Sequence, residues 1–173
     1  MPRSVRRPTL TPLPGEGDLG LVDALAQLSF AVQATLGRVS AAHDLSMVQA
    51  RLLGILRDRS PTIKELARFL QLDKSSVSGL VDRTQRRGLV ERVASALDGR
   101  SVQVTLTAAG RELVDRATAF FEVEIEELVA DLSAAQRVRL SSIASLVVVA
   151  DARQRGIDVL AVEPARMQET TAR

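Results

Sequence analysis

The stretch DKSSVSGLVDRTQRRGLVERVASALDGRSVQVTLTAA, residues 73–109, carries a helix, a hairpin and a basic tip in that order. From 74 to 87, at about 100° per residue, Val77, Leu80, Val81 and Thr84 share one helical face. Ser75, Gly79, Asp82 and Arg86 lie opposite, with Ser76, Ser78 and Arg83 on the flanks. Asp73 stands where its carboxylate can accept the first backbone N–H groups, and Gly88 where a left-handed residue ends the helix. Val90 and Val93 then begin one strand, and Val102, Val104 and Leu106 alternate with Ser101, Gln103 and Thr105 in a second. Asp98-Gly99 supplies the turn between them, and Arg100 follows at once.

A helix that enters a DNA groove needs small groups in its N-terminal half and long basic groups towards the groove walls, and 74–87 has both. The competing reading is an ordinary solvated face whose first-turn serines serve only as good capping residues. Immediately upstream, Thr62 and Glu65 form a capping box that opens a short helix through Ile63, Leu66, Ala67 and Leu70. Gln71-Leu72 joins it tightly to Asp73, which is the spacing of a helix-turn-helix. A two-stranded wing beside a helix-turn-helix makes a winged helix, and a basic wing tip reaches phosphates or the adjacent minor groove.

Further out, Ser46 with Gln49 caps a helix carrying Leu52, Leu53 and Leu56, expected to run to about Arg59 before Ser60-Pro61 breaks it. Leu21, Leu25, Leu28, Val32, Leu36 and Val39 form one apolar stripe over 19–42, ending near His43-Asp44. Beyond the hairpin, Thr107 caps a helix with Leu113, Val114, Ala117, Phe121, Ile125, Leu128 and Leu132 on one side. Glu122–Glu126 also alternates as a strand would, but the three-to-four spacing continues on both sides of it and favours the helix. Ser133 with Gln136 opens a last helix whose apolar face is wider than one contact needs. Residues 1–17, rich in Pro with Arg3, Arg6 and Arg7, read as a basic arm: either a solvated tail or an arginine arm on DNA. The chain thus divides into that arm, an N-terminal helix (18–44), a winged helix-turn-helix (45–106), two C-terminal helices (107–155) and a tail of diminishing order (156–173).

Composition removes whole classes of function. The chain has no cysteine and one histidine, so thiol catalysis, disulfides, thiolate metal sites and histidine dyads are unavailable. No nucleophile, base and orienting group can be assembled from spacing, so no catalytic residue, cofactor or metal is assigned and the chain does not read as an enzyme. No apolar run approaches the length that spans a bilayer, and no apolar segment follows the basic start as in a secretory signal, so a cytoplasmic location without membrane attachment is expected. The net charge is only +2, but residues 62–100 carry eight basic against five acidic groups, whereas 107–155 carry six against eight. A basic segment beside an acidic one separates a polyanion-binding face from a face with another task.

Leu80-Val81-Asp82-Arg83, then Arg87-Gly88-Leu89-Val90-Glu91-Arg92, Asp98-Gly99-Arg100 and Val104-Thr105-Leu106-Thr107-Ala108-Ala109-Gly110 follow one another at fixed spacing. In these motifs and in its element order the chain resembles, over roughly residues 19–155, the MarR family of bacterial transcriptional regulators. The resemblance implies a mainly α fold with a small two- or three-stranded β wing, flanked by N- and C-terminal dimerisation helices. It implies a homodimer that represses from a palindromic operator of double-stranded DNA. The DNA-binding set becomes Lys74, Ser75, Ser76, Ser78, Gly79, Arg83, Arg86 and Arg100. Asp98 would brace the wing, and Arg100 would enter the minor groove. Many relatives carry a long side chain, often arginine, where this chain has Gly79, which shifts readout towards Ser75, Ser78 and Arg83. The resemblance also implies a small-molecule effector, with the first two helices expected to line its pocket. Phe30, Phe69, Phe120 and Phe121 all fit core or contact positions. The alternative function is a winged-helix protein-interaction module without DNA binding.

Overall fold

Local capping explains most of the element boundaries in the computed structural model, which describes residues 19–94 and 101–159. The N-terminal arm and the Asp98-Gly99-Arg100 tip, together with the chain beyond 159, lie outside the described residues. The order is α1 (Gly20–Ala42), α2 (Met47–Leu56), α3 (Ile63–Leu70), α4 (Lys74–Arg86), β1 (Val90–Ala94), β2 (Val102–Leu106), α5 (Ala108–Leu128) and α6 (Ala134–Gln154). Ser46, Thr62 and Ser133 each form the expected capping box with a glutamine or glutamate three residues on, and Asp73 and Thr107 cap α4 and α5. The second helix stops at Leu56 rather than near Arg59, because Pro61 disfavours helical backbone at Ser60 and the chain turns before it.

The core gathers one face from every element of the winged helix. Leu52 and Leu53 of α2, Leu66 of α3, Val77 and Val81 of α4 and Val104 of β2 are all essentially solvent-free. Thr84 is buried among them and satisfies its hydroxyl by donating to the Leu80 carbonyl at 2.8 Å. The hairpin pairs Val90 with Leu106 and Arg92 with Val104 in antiparallel register. A single bridge from Thr62 to Gln103, with the Val104 N–H donating to the Pro61 carbonyl at 2.9 Å, adds a one-residue third strand. The wing is therefore anchored to the α2–α3 connector as well as to α4.

The end of α4 and the start of α5 meet backbone to backbone. Gly88 has φ +70°, the left-handed turn expected of it, and the Leu89 N–H returns to the Thr84 carbonyl at 3.2 Å. Thr107 donates its N–H to the Leu89 carbonyl at 3.1 Å and its hydroxyl to the Gly88 carbonyl at 2.6 Å. A Cβ on Gly110 would stand 1.9 Å from the Leu89 carbonyl oxygen, so only glycine permits this approach.

The outer helices are packed very differently from the core. Along the α1 stripe, Val39 is buried and Val32 and Leu36 are partly covered, but Leu21 is 76% exposed and Val22 beside it 79%. On α6, Ile143 is 62% and Leu146 69% exposed, with Val147 and Val148 also open. Apolar exposure on this scale is uncommon on a monomer. α1 is held to α5 by packing and by Arg38, whose guanidinium pairs with Glu124 at 2.5 Å. No helix among the described residues is long and apolar enough to cross a membrane.

Candidate nucleic-acid interface

The α4 face opposite the buried Val77, Leu80, Val81 and Thr84 is bare. Lys74, Ser75, Ser76, Arg83 and Arg86 are exposed on it or on its flanks, while Ser78 and Gly79 are partly covered. Asp73 Oδ1 accepts the Ser76 N–H at 2.8 Å and the Ser75 hydroxyl at 2.5 Å, and Oδ2 accepts the Ser76 hydroxyl at 2.6 Å. Both serine protons are therefore committed. Each hydroxyl is left with acceptor capacity only, which suits a base amino group and not a phosphate. Space above Gly79 is occupied by the Arg83 side chain, whose Nη1 lies 3.4 Å from where a Cβ would be. The missing side chain lets this arginine lie along the helix.

Three bonds from its neighbours, first the Ser75 hydroxyl and then the hydroxyl and N–H of Ser76, hold the Asp73 carboxyl well below the usual carboxylate range. A depressed carboxyl pKa stabilises the fold above the unfolded value of about 3.9, and that contribution is lost as pH falls below it towards the folded value. Asp73→Asn retains an acceptor for the Ser76 N–H but does not titrate. Urea midpoints followed from about pH 5 to about pH 2 should fall less steeply for Asp73→Asn than for wild type, and equal slopes would remove Asp73 from the acid response.

Arg92 of β1 reaches across to α4. Its Nη2 lies 2.7 Å from Asp82 Oδ1, and its Nη1 donates to Gln85 Oε1 at 2.6 Å. The bracket sets the wing strand against α4 and compensates the one carboxylate on the outward face of that helix. Arg87 is occupied as well, donating to the Asp44 carbonyl at 2.6 Å and so tying the end of α4 to the end of α1. Of the basic groups in 62–100, Arg87 and Arg92 therefore act inward, and Lys74, Arg83 and Arg86 remain outward. Sequence reasoning missed the bracket, since Asp82 and Arg92 lie in different elements and carry no joint periodic signal.

A short helix, a tight turn, a second helix with a bare polar face and a hairpin clamped beside it define the winged helix-turn-helix class of DNA-binding folds. Residues 43–101 match the family model described as MarR family. A homoprotocatechuate degradative operon repressor of Escherichia coli is 27% identical over 140 residues, covering 79% of this chain and 94% of the relative. The fold matches wild-type apo MarR from E. coli with a TM-score of 0.63 at 22% identity, over 76% of this chain and 98% of that one. NadR in complex with 4-hydroxyphenylacetate matches equally well, with a TM-score of 0.63 at 19% identity over 78% of this chain and 97% of the other. Over residues 43–101 the chain thus matches the MarR family, and its fold is the winged helix of the solved MarR-family structures.

Proposed function

We propose that the protein is a homodimeric, sequence-specific repressor that reads a palindromic operator with α4 in the major groove and the wing in the minor groove. The observation that carries this reading is the bare outer face of α4, short at its N-terminal turn and cationic further along, on a helix whose other face is buried. Arg83 and Arg86 are the candidates for base or phosphate contact, with Lys74, Ser75, Ser76, Ser78 and Gly79 lining the approach and Arg100 acting from the wing tip braced by Asp98. The named role of the E. coli relative supports repression.

The open apolar faces of α1 and α6 support a dimer, in which 18–44 and 107–155 form the shared helical body and 45–106 the reading head. Two reading heads would then stand about one DNA turn, roughly 34 Å, apart. A small aromatic acid bound beside α1 and α2 is the effector class we assign, supported by NadR with its 4-hydroxyphenylacetate. The protein works in the cytoplasm, where its operator lies.

Recovering bound fragments from the organism's genome and reading a shared palindrome tests the proposal. With that palindrome in hand, Arg100→Ala should reduce the slope of log affinity against log salt by about 0.9, since one phosphate-neutralising group is lost. An unchanged affinity and slope would sink the wing assignment. Retention of no DNA even at low salt would instead favour a protein-interaction module.

A further inference from the structure

α6 is fastened to the winged-helix lobe through its C-terminal end, in a segment expected from sequence to be losing order. The chain turns at Gly156, the Ile157 N–H returns to the Ala152 carbonyl at 2.9 Å, and Ala152 and Ile157 are only 1% and 7% exposed. The next two carbonyls are then gripped from a distance of about a hundred residues. Arg59 donates from Nη1 to the Asp158 carbonyl at 3.1 Å and from Nη2 to the Val159 carbonyl at 3.2 Å. Its guanidinium lies over the Phe69 ring, 5.0 Å from the centroid. Phe69 is thus not a core residue: it is half-buried on α3 and forms the floor under this clasp. A concavity of about 200 Å³ opens beside it, lined by Pro61, Glu65, Arg68, Phe69 and Ile157 among others.

Arg59 stands on the α2–α3 connector, two residues before Pro61, whose carbonyl receives the β2 N–H of Val104. The clasp therefore joins the end of α6 to the piece of chain that carries both α3 and the wing. The lobe also packs along α1 and α5, with Leu45 and Val114 entering its core, and two polar attachments reinforce that packing. One is the α1–α2 turn, where Arg87 grips the Asp44 carbonyl, and the other is the seam of Thr107 and Gly110 against Leu89. All of these hold the lobe to α1 and α5, whereas the clasp couples it to the end of α6.

We propose that Arg59 is a positioning residue for operator recognition: by clasping the Asp158 and Val159 carbonyls it fixes the angle of the winged-helix lobe to the outer helices, and so sets the half-site spacing the protein accepts. This rests on the dimeric, palindrome-reading function proposed above. Because DNA twists as it rises, a change of one or two base pairs both translates and rotates one half-site relative to the other, and a rigid pair of reading heads rejects it.

The experiment measures affinity for a family of palindromes derived from the genomic operator, with the centre-to-centre spacing altered by about one and about two base pairs in each direction. Wild type should prefer its native spacing by about 30-fold or more, and Arg59→Ala should shrink that preference to about fivefold or less while remaining dimeric by light scattering. Arg59→Lys separates clasp from charge, because an ammonium cannot span both carbonyls in a planar fork but still neutralises a phosphate. It should lose the spacing preference like Arg59→Ala, and keep the wild-type salt slope. Phe69→Leu, which removes the ring beneath the guanidinium, should move in the same direction. Wild-type spacing preference in Arg59→Ala, or its full restoration in Arg59→Lys, would overturn the assignment. A wild type that is monomeric or binds no palindrome overturns the underlying reading instead, and this is seen before any variant is made.

Discussion

Gly110→Ala should destabilise the protein by about 3 kcal/mol or more, towards the upper end of what overpacking costs. The new methyl carbon would stand 1.9 Å from the Leu89 carbonyl oxygen and 2.9 Å from its carbon. Neither atom belongs to a side chain that can rotate away. Leu89 is held at the end of α4 by its own N–H and by the Thr107 N–H on its carbonyl, so relief requires moving α5 away from α4. The damage should reach DNA binding as well, because this seam holds α4, the proposed reading helix, to α5. Gly54→Ala provides the control: that glycine lies within α2 with nothing inside 4 Å of a new Cβ, and the substitution should stabilise by about 0.5–1 kcal/mol. Urea denaturation of the two variants beside wild type decides the matter. Equal, small effects at both positions would mean that the seam does not require glycine.

Leu146→Asp should convert a dimer into a monomer and weaken operator binding by about a thousandfold. Ile143, Leu146 and Val147 lie at helical spacing on α6 and are all more than half exposed in the single chain. At such a position an isolated chain should tolerate aspartate within about 0.5 kcal/mol. In a twofold interface the same change acts twice and leaves each carboxylate without a partner in apolar surroundings, so about 4 kcal/mol is expected, and each 1.4 kcal/mol is a factor of ten. Sedimentation gives the mass, and titration with the recovered palindrome gives the affinity. A dimer that survives with unchanged affinity would place the interface elsewhere.

The reading helix and its hairpin were legible because their periods differ: Val77, Leu80 and Val81 recur at three to four residues, whereas Val102, Val104 and Leu106 alternate. Helix starts were legible from Ser46, Thr62, Asp73, Thr107 and Ser133, since a cap is a local bond between residues three apart. The end of α2 was less so, because Pro61 limits a helix without saying how far before it the helix stops. Contacts between elements left no local signal. Nothing in the periodicity of α4 says that Asp82 and Gln85 are taken by Arg92, or that Arg59 reaches the carbonyls of Asp158 and Val159. Gly110 stood in a recognisable motif, but the reason for glycine there exists only once α5 has been laid against Leu89. The serines were visible as groove-facing candidates, yet their shared use by Asp73 depends on hydroxyl orientation that sequence does not carry.

The uncovered apolar faces of α1 and α6 carry a consequence for the cell. If those faces are completed by a second copy, part of the folding free energy is supplied by mass action, and stability becomes a function of copy number. Dilution then acts as a denaturant: when the chain is scarce, subunits separate, their helices lose support and the operator is vacated together with the fold. Occupied DNA acts in the opposite direction by holding two copies side by side. A regulator built in this way responds to its own abundance through its melting equilibrium, before any effector is considered.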